Sequence, residues 1–143
     1  MAFTKILGNY FSISDEFEIY ELGSGHGFNL IEINKVYPHS KIYTDDLDRN
    51  HLNKKIRHCS LKSKTFDVII LSHVLEHLVF PRQWIDSLLK QINNGGFLII
   101  EVPNDNEILF NEKKINEPHI TFFNTKNMEL LINNSSSNVK INE

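Results

Sequence analysis

The chain has one cysteine, Cys59, so it cannot form an internal disulfide, and nothing points to an oxidising compartment. No stretch nears the roughly 18 consecutive apolar residues of a membrane-spanning helix, and no membrane contact is expected. Met1-Ala2-Phe3-Thr4-Lys5 carries neither a long apolar run nor a small-residue cleavage site, so a cytoplasmic location is expected. A basic excess is missing too. Fifteen Lys and Arg face 18 Asp and Glu, the net charge is −3 and the pI is about 6.2. That balance argues against a nucleic-acid partner. Glycine is scarce, with only six in 143 residues. Three of these fall together at Gly23, Gly25 and Gly27, where a close backbone approach is the natural explanation.

What is present suits one globular domain over residues 1–143, with a core of about 17–125 and a tail of 133–143, rich in Asn and Ser, that is expected to fray. Strand and helix signals alternate. Phe17 to Leu22 reads as a buried strand running into the glycines, and Phe28, Leu30, Ile31, Ile33 and Val36 follow at helical spacing, with Pro38 as a stop. Lys41 to Thr44 is a second strand ending in acids. Residues 49 to 65 hold at most a short helix and a short strand near Ile56 to Cys59. Phe66 to Leu71 is a continuous apolar run, as in a strand covered on both faces. Pro81 opens a helix with the stripe Trp84, Ile85, Leu88, Leu89 and Ile92, and Asn94-Gly95-Gly96 reads as its end. Phe97 to Val102 is the next strand, and Asn124 is placed to cap a helix carrying Met128, Leu130, Leu131 and Ile132. This order predicts an α/β fold: a Rossmann-like, open, mostly parallel twisted sheet with helices on both faces.

In such sheets ligands bind beyond the carboxyl ends of the strands. The first strand ends in Glu21-Leu22-Gly23-Ser24-Gly25-His26-Gly27, and free N–H groups of the following helix point at whatever occupies the loop. A dinucleotide pyrophosphate and an aminoacyl group both suit that arrangement. Two residues choose between them. The dinucleotide fingerprint wants Gly or Ala where this chain has Phe28. Glu21 also sets a carboxylate two residues before the first glycine, suited to an ammonium. Asp46, at the end of the second strand, is placed to accept ribose hydroxyls, with Asp45 and Asp48 as competitors.

These stretches, with Phe66 to Leu78, Asn94 to Asn104 and Pro118 to Phe123 in that order, resemble the class I S-adenosylmethionine-dependent methyltransferases, in particular the ubiquinone-pathway, sugar and small-molecule subgroup. The resemblance implies S-adenosylmethionine as cofactor and a small-molecule methyl acceptor, such as a sugar, phenolic or quinone-like compound. It implies cofactor contacts from Glu21, Gly23, Ser24, Gly25, Gly27, Asp46, Leu47, Ser72 and His73, and catalytic roles for His77 and His119 at the acceptor side. His73, Glu76, His77 and His119 also form a set of N and O donors, similar to the divalent-ion site of small-RNA 2′-O-methyltransferases except that His73 replaces an acid; no metal is expected.

The chain also departs from that family. No Asp or Glu lies between Arg49 and Thr65, where an acid usually contacts adenine, which leaves backbone and side chains such as Cys59, Ser60 or Leu61. The C-terminal strands are reduced, which leaves the Phe97 to Val102 strand at an open sheet edge. A homodimer or another partner over that edge is therefore expected. A weak or inactive methyltransferase-fold partner subunit is the alternative function.

Overall fold

The computed structural model of the chain describes residues 2–46, 53–104 and 119–135. Five parallel strands form one sheet: β1 (Glu18–Leu22), β2 (Lys41–Asp45), β3 (Arg57–His58), β4 (Phe66–Ser72) and β5 (Ile92–Glu101), in the spatial order β3-β2-β1-β4-β5. The order reverses between β1 and β4, which opens a crevice at their carboxyl ends. The helices are α1 (Ala2–Leu7), α2 (Phe28–Val36), α3 (Pro81–Leu89) and α4 (Thr125–Asn133).

Strand alternation sends neighbouring side chains to opposite faces, so the sheet divides two cores. Ile19, Ile42, Val68 and Ile70 pack on one face with Phe3, Leu7, Leu30 and Ile33 from α1 and α2. Tyr20, Tyr43, Ile69 and Leu71 pack on the other with Ile85 and Leu88 of α3, and with Met128 and Leu131 of α4. The fold is therefore the expected parallel α/β sheet with helices on both faces. Asn124 caps α4 as its type and position predict: its side chain accepts from the Asn127 N–H, and Asn127 returns the bond.

Three local features differ from the sequence pattern. The α1 helix is unforeseen; at six residues it is too short to show a period, yet it buries Phe3 and Leu7. Asn94-Gly95-Gly96 does not end α3, which stops at Leu89, but lies inside β5. There the pairing jumps from Phe66↔Ile92 to Val68↔Phe97, so β5 bulges against β4. Asp67 holds the bulge: its carboxylate accepts from Asn93 Nδ2 and from the Glu18 N–H, both at 2.7 Å. Finally, Trp84 is 38% exposed and Phe28 71% exposed, so neither belongs to the buried stripe of its helix.

Among the described residues, β5 lies at one end of the sheet order. Tyr10 packs on Phe97 with ring centroids 4.6 Å apart and the planes tilted by 39°, covering part of one face. No helix among the described residues is long and apolar enough to cross a membrane.

Candidate active site

The loop after β1 turns through three left-handed glycines, with φ of 64° at Gly23, 54° at Gly25 and 73° at Gly27. Only glycine takes this conformation without a Cβ penalty. At Gly23 space is short as well, since a Cβ there would sit 3.0 Å from Val74 Cγ2. At Gly25 the reverse holds: a Cβ would meet nothing within 4 Å, so this backbone faces an open hollow. Gly27 is the N-cap of α2, whose first N–H groups point towards the loop.

Glu21 lies on β1 just before the glycines and is 2% exposed. Its Oε1 accepts from Asn29 Nδ2 at 2.7 Å, while its Oε2 is buried with no hydrogen-bond partner among the described residues. Burial dominates its titration and lifts its pKa from 4.5 to about 7; the Asn29 bond opposes this, and Glu101 and Asp46 add to it. Ser24 Oγ in the loop is likewise buried without a partner among the described residues. A buried acceptor just before the glycine loop and a buried hydroxyl within it, both left open, are costly unless a ligand completes them.

Asp46 reaches the loop from the end of β2, where its Oδ2 accepts from the Gly25 N–H at 2.7 Å. Its competitor Asp45 turns the other way, with Oδ1 3.2 Å from His58 Nε2 on β3. Asp48 and Leu47 lie outside the described residues. Of the side chains considered for adenine, Leu61 is a core residue and Cys59 is half-buried, its N–H bonded to Thr44 O. Burial pushes the Cys59 thiol pKa up.

Ser72 ends β4 and donates to Glu101 Oε2 at 2.7 Å. His73 has a φ of 54°, and its N–H donates to Glu101 O. Glu101 ends β5 and was not singled out from the sequence; an acid closing an apolar strand shows no pattern that separates a site residue from a solvated strand end. Asn29 was missed in the same way. Glu21, Asp46 and Glu101 thus place carboxylates at the ends of β1, β2 and β5, a field that favours a cationic ligand.

The turn after β4, Leu75–His77, begins one residue past Val74, which touches Gly23. It carries Glu76, 1% exposed, and His77, exposed. Glu76 O accepts from both Ile120 N at 2.9 Å and Thr121 N at 3.0 Å. These bonds fasten the segment bearing His119 to the turn. The His77 and His119 rings meet edge to face, 4.9 Å between centroids. The structure therefore brings together the two histidines singled out in the sequence. A cavity of about 170 Å³ opens beyond β5, between Val102, Pro103, Phe123 and Met128.

An open parallel sheet with a glycine loop after β1, a buried acid before it and a second acid on β2 defines the methyltransferase type of Rossmann-like fold. A family profile described as a methyltransferase domain matches residues 8–135. The chain belongs to this family, the class I S-adenosylmethionine-dependent methyltransferases. Similar solved structures agree with the fold. A plantazolicin methyltransferase in complex with a pentazolic desmethylPZN analog and SAH is 20% identical with a TM-score of 0.66, over 90% of this chain and 58% of that one. A SAM-dependent methyltransferase from Aquifex aeolicus is 17% identical with a TM-score of 0.65, over 93% and 78%. A coclaurine N-methyltransferase bound to N-methylheliamine and SAH is 14% identical with a TM-score of 0.55, over 69% and 34%. The chain thus spans about a third of the last of these proteins. No curated protein sequence matches the chain.

Proposed function

We propose that this chain is an S-adenosylmethionine-dependent methyltransferase acting on a small-molecule acceptor. The observation that carries the proposal is the pair of unpartnered buried polar atoms, Glu21 Oε2 and Ser24 Oγ, beside the open backbone of Gly25. A methionine moiety has what each of them lacks, an ammonium for Glu21 and a carboxylate for Ser24 and the loop amides. Asp46 is placed to exchange its bond with Gly25 for ribose hydroxyls. Ser72, which donates to Glu101 Oε2, and His73 follow β4, the strand that pairs with β1, and are read here as further cofactor contacts.

The cofactor, when bound, supplies an electrophilic methyl carbon. The chain's own task is then to orient it, exclude water and hold an acceptor in line. The carboxylates of Glu21, Asp46 and Glu101 favour the cationic donor over its neutral product, S-adenosylhomocysteine. His77 or His119 takes the acceptor's proton as a general base. A shallow open pocket beyond β5, apolar at Val102, Phe123 and Met128, is lined in part by Phe123, four residues after His119. O- or C-methylation of a sugar, phenolic or quinone-like compound fits these features, and the reading extends to a second copy of the chain pairing along β5.

Calorimetric titration of S-adenosylhomocysteine tests the cofactor site. The wild type is expected to bind. Asp46→Ala should weaken binding at least about tenfold by removing the ribose acceptor, and Gly25→Val should abolish it by placing a branched side chain at a left-handed position inside the hollow. Binding that survives both substitutions contradicts the site. A wild type that binds nothing favours a partner-subunit role.

A further inference from the structure

The two histidines on the acceptor side each head a short apolar run, His77-Leu78-Val79-Phe80-Pro81 and His119-Ile120-Thr121-Phe122-Phe123. In each run one residue faces the core and its neighbours stand out. Leu78 packs against the core under α3, and Phe123 is buried in that core. Val79 and Phe80 are each 61% exposed, Ile120 is 56% exposed and Phe122 44%. Apolar residues scattered singly over a surface need no explanation, but a group of them at one place does. The backbone ties this group together. Glu76 O accepts from Ile120 N and Thr121 N, which fastens the second run to the turn that begins the first. The rings also form a row. His77 meets His119 at 4.9 Å between centroids and His119 meets Phe122 at 6.3 Å, both edge to face.

Resting on the methyltransferase reading, we infer that Phe80, Ile120 and Phe122 determine acceptor specificity, and that they select an uncharged acceptor with an apolar body, aryl or alkyl, over a sugar. The choice against sugars follows from what this rim lacks. Apart from the two imidazoles, Thr121 is the only side chain in residues 77–81 and 119–123 with a hydrogen-bonding atom. A sugar laid there loses water from its hydroxyls and finds few partners in exchange. An apolar body has no such hydroxyls, and it removes the exposed Phe80, Ile120 and Phe122 from water. The carboxylates of Glu21, Asp46 and Glu101 disfavour an anionic acceptor in addition. Continuity with the histidine pair is what assigns the rim to the acceptor. Each segment that offers a base also offers a phenyl ring three residues on, Phe80 after His77 and Phe122 after His119. The Glu76 O bonds hold both segments in place before anything binds, so little ordering is left for the acceptor to impose.

Two probes with a free hydroxyl separate the classes: 2-naphthol, with an aryl body, and methyl glucoside. Equilibrium dialysis against the cofactor-free full chain measures both. Wild type is expected to bind 2-naphthol and to leave the glucoside free. Phe80→Ser and Phe122→Ser should each weaken 2-naphthol binding at least about fivefold, and Phe80→Leu should recover most of the loss. Val36→Ser, at the far end of α2, should match wild type. Calorimetry with S-adenosylhomocysteine on the same proteins should give wild-type affinity throughout, and wild type that fails there while holding 2-naphthol contradicts the cofactor site but not the rim. Circular dichroism checks the fold of each variant. Absence of 2-naphthol binding by wild type, equal binding of the glucoside, or undiminished binding in both phenylalanine variants overturns the inference. So does self-association, or binding to phosphatidylcholine vesicles, that both variants lose while their 2-naphthol affinity stays unchanged, because the rim then serves a second copy or a lipid surface.

Discussion

At the scale of single residues, Glu21 is where the fold and the proposed chemistry oppose each other. Burial with only one hydrogen bond lifts its pKa to about 7. The folded chain therefore holds this proton over a range where the unfolded chain, with a carboxyl near 4.5, has released it. From about pH 4.5 to 7 stability should fall as pH rises, by on the order of 3 kcal/mol in total, and level off above that range. Glu21→Gln keeps the Asn29 bond and removes the titration. In cofactor-free protein, the drop in Tm between pH 5 and pH 7.5 should be smaller for Glu21→Gln than for wild type. Equal drops would show that Glu21 is not the titrating group. Glu21 stood out in the sequence because it precedes a recognisable glycine run. Glu101 did not, because its closeness to Ser72 and Glu21 depends on β5 pairing with β4, a contact between distant parts of the chain that local pattern does not encode.

At the scale of elements, the same division holds between local and distant information. The α2 helix and the buried β4 strand were legible because a helical stripe before Pro38 and an uninterrupted apolar run are local signals. The Asn94-Gly95-Gly96 stretch was not, because glycine serves a helix end and a strand bulge equally well and only the pairing with β4 decides. The two glycines of that stretch make separable predictions. A Cβ at Gly96 would lie 2.5 Å from Asp67 O and 2.8 Å from Ile92 Cγ2, so Gly96→Ala must push backbone apart. Gly95 has open space and a φ of 82°, so Gly95→Ala carries only conformational strain. Denaturant unfolding should show a loss of at least about 2 kcal/mol for Gly96→Ala and roughly 1 kcal/mol for Gly95→Ala. The reverse order would contradict the bulge. The α1 helix left no readable trace, since two buried residues within six cannot establish a period.

At the scale of the whole molecule, the edge position of β5 and the crevice between β1 and β4 follow from one strand order. Leu98 and Ile100 are covered by one helical layer and Phe97 by Tyr10, yet no strand among the described residues pairs with the outer side of β5. Association through that edge is expected, and sedimentation velocity should show a dimer that dissociates on dilution; a single monomer species at every concentration would contradict it. The crevice carries the central claim, that an ionised Glu21 receives the cofactor's ammonium. Only the ionised fraction binds well, and it rises about tenfold from pH 6 to pH 8 for a pKa near 7. The deciding measurement is calorimetric titration of S-adenosylhomocysteine into the wild type at those two pH values. Tighter binding at pH 8, by up to about tenfold, is predicted; no binding at either pH, or weaker binding at pH 8, would contradict the account.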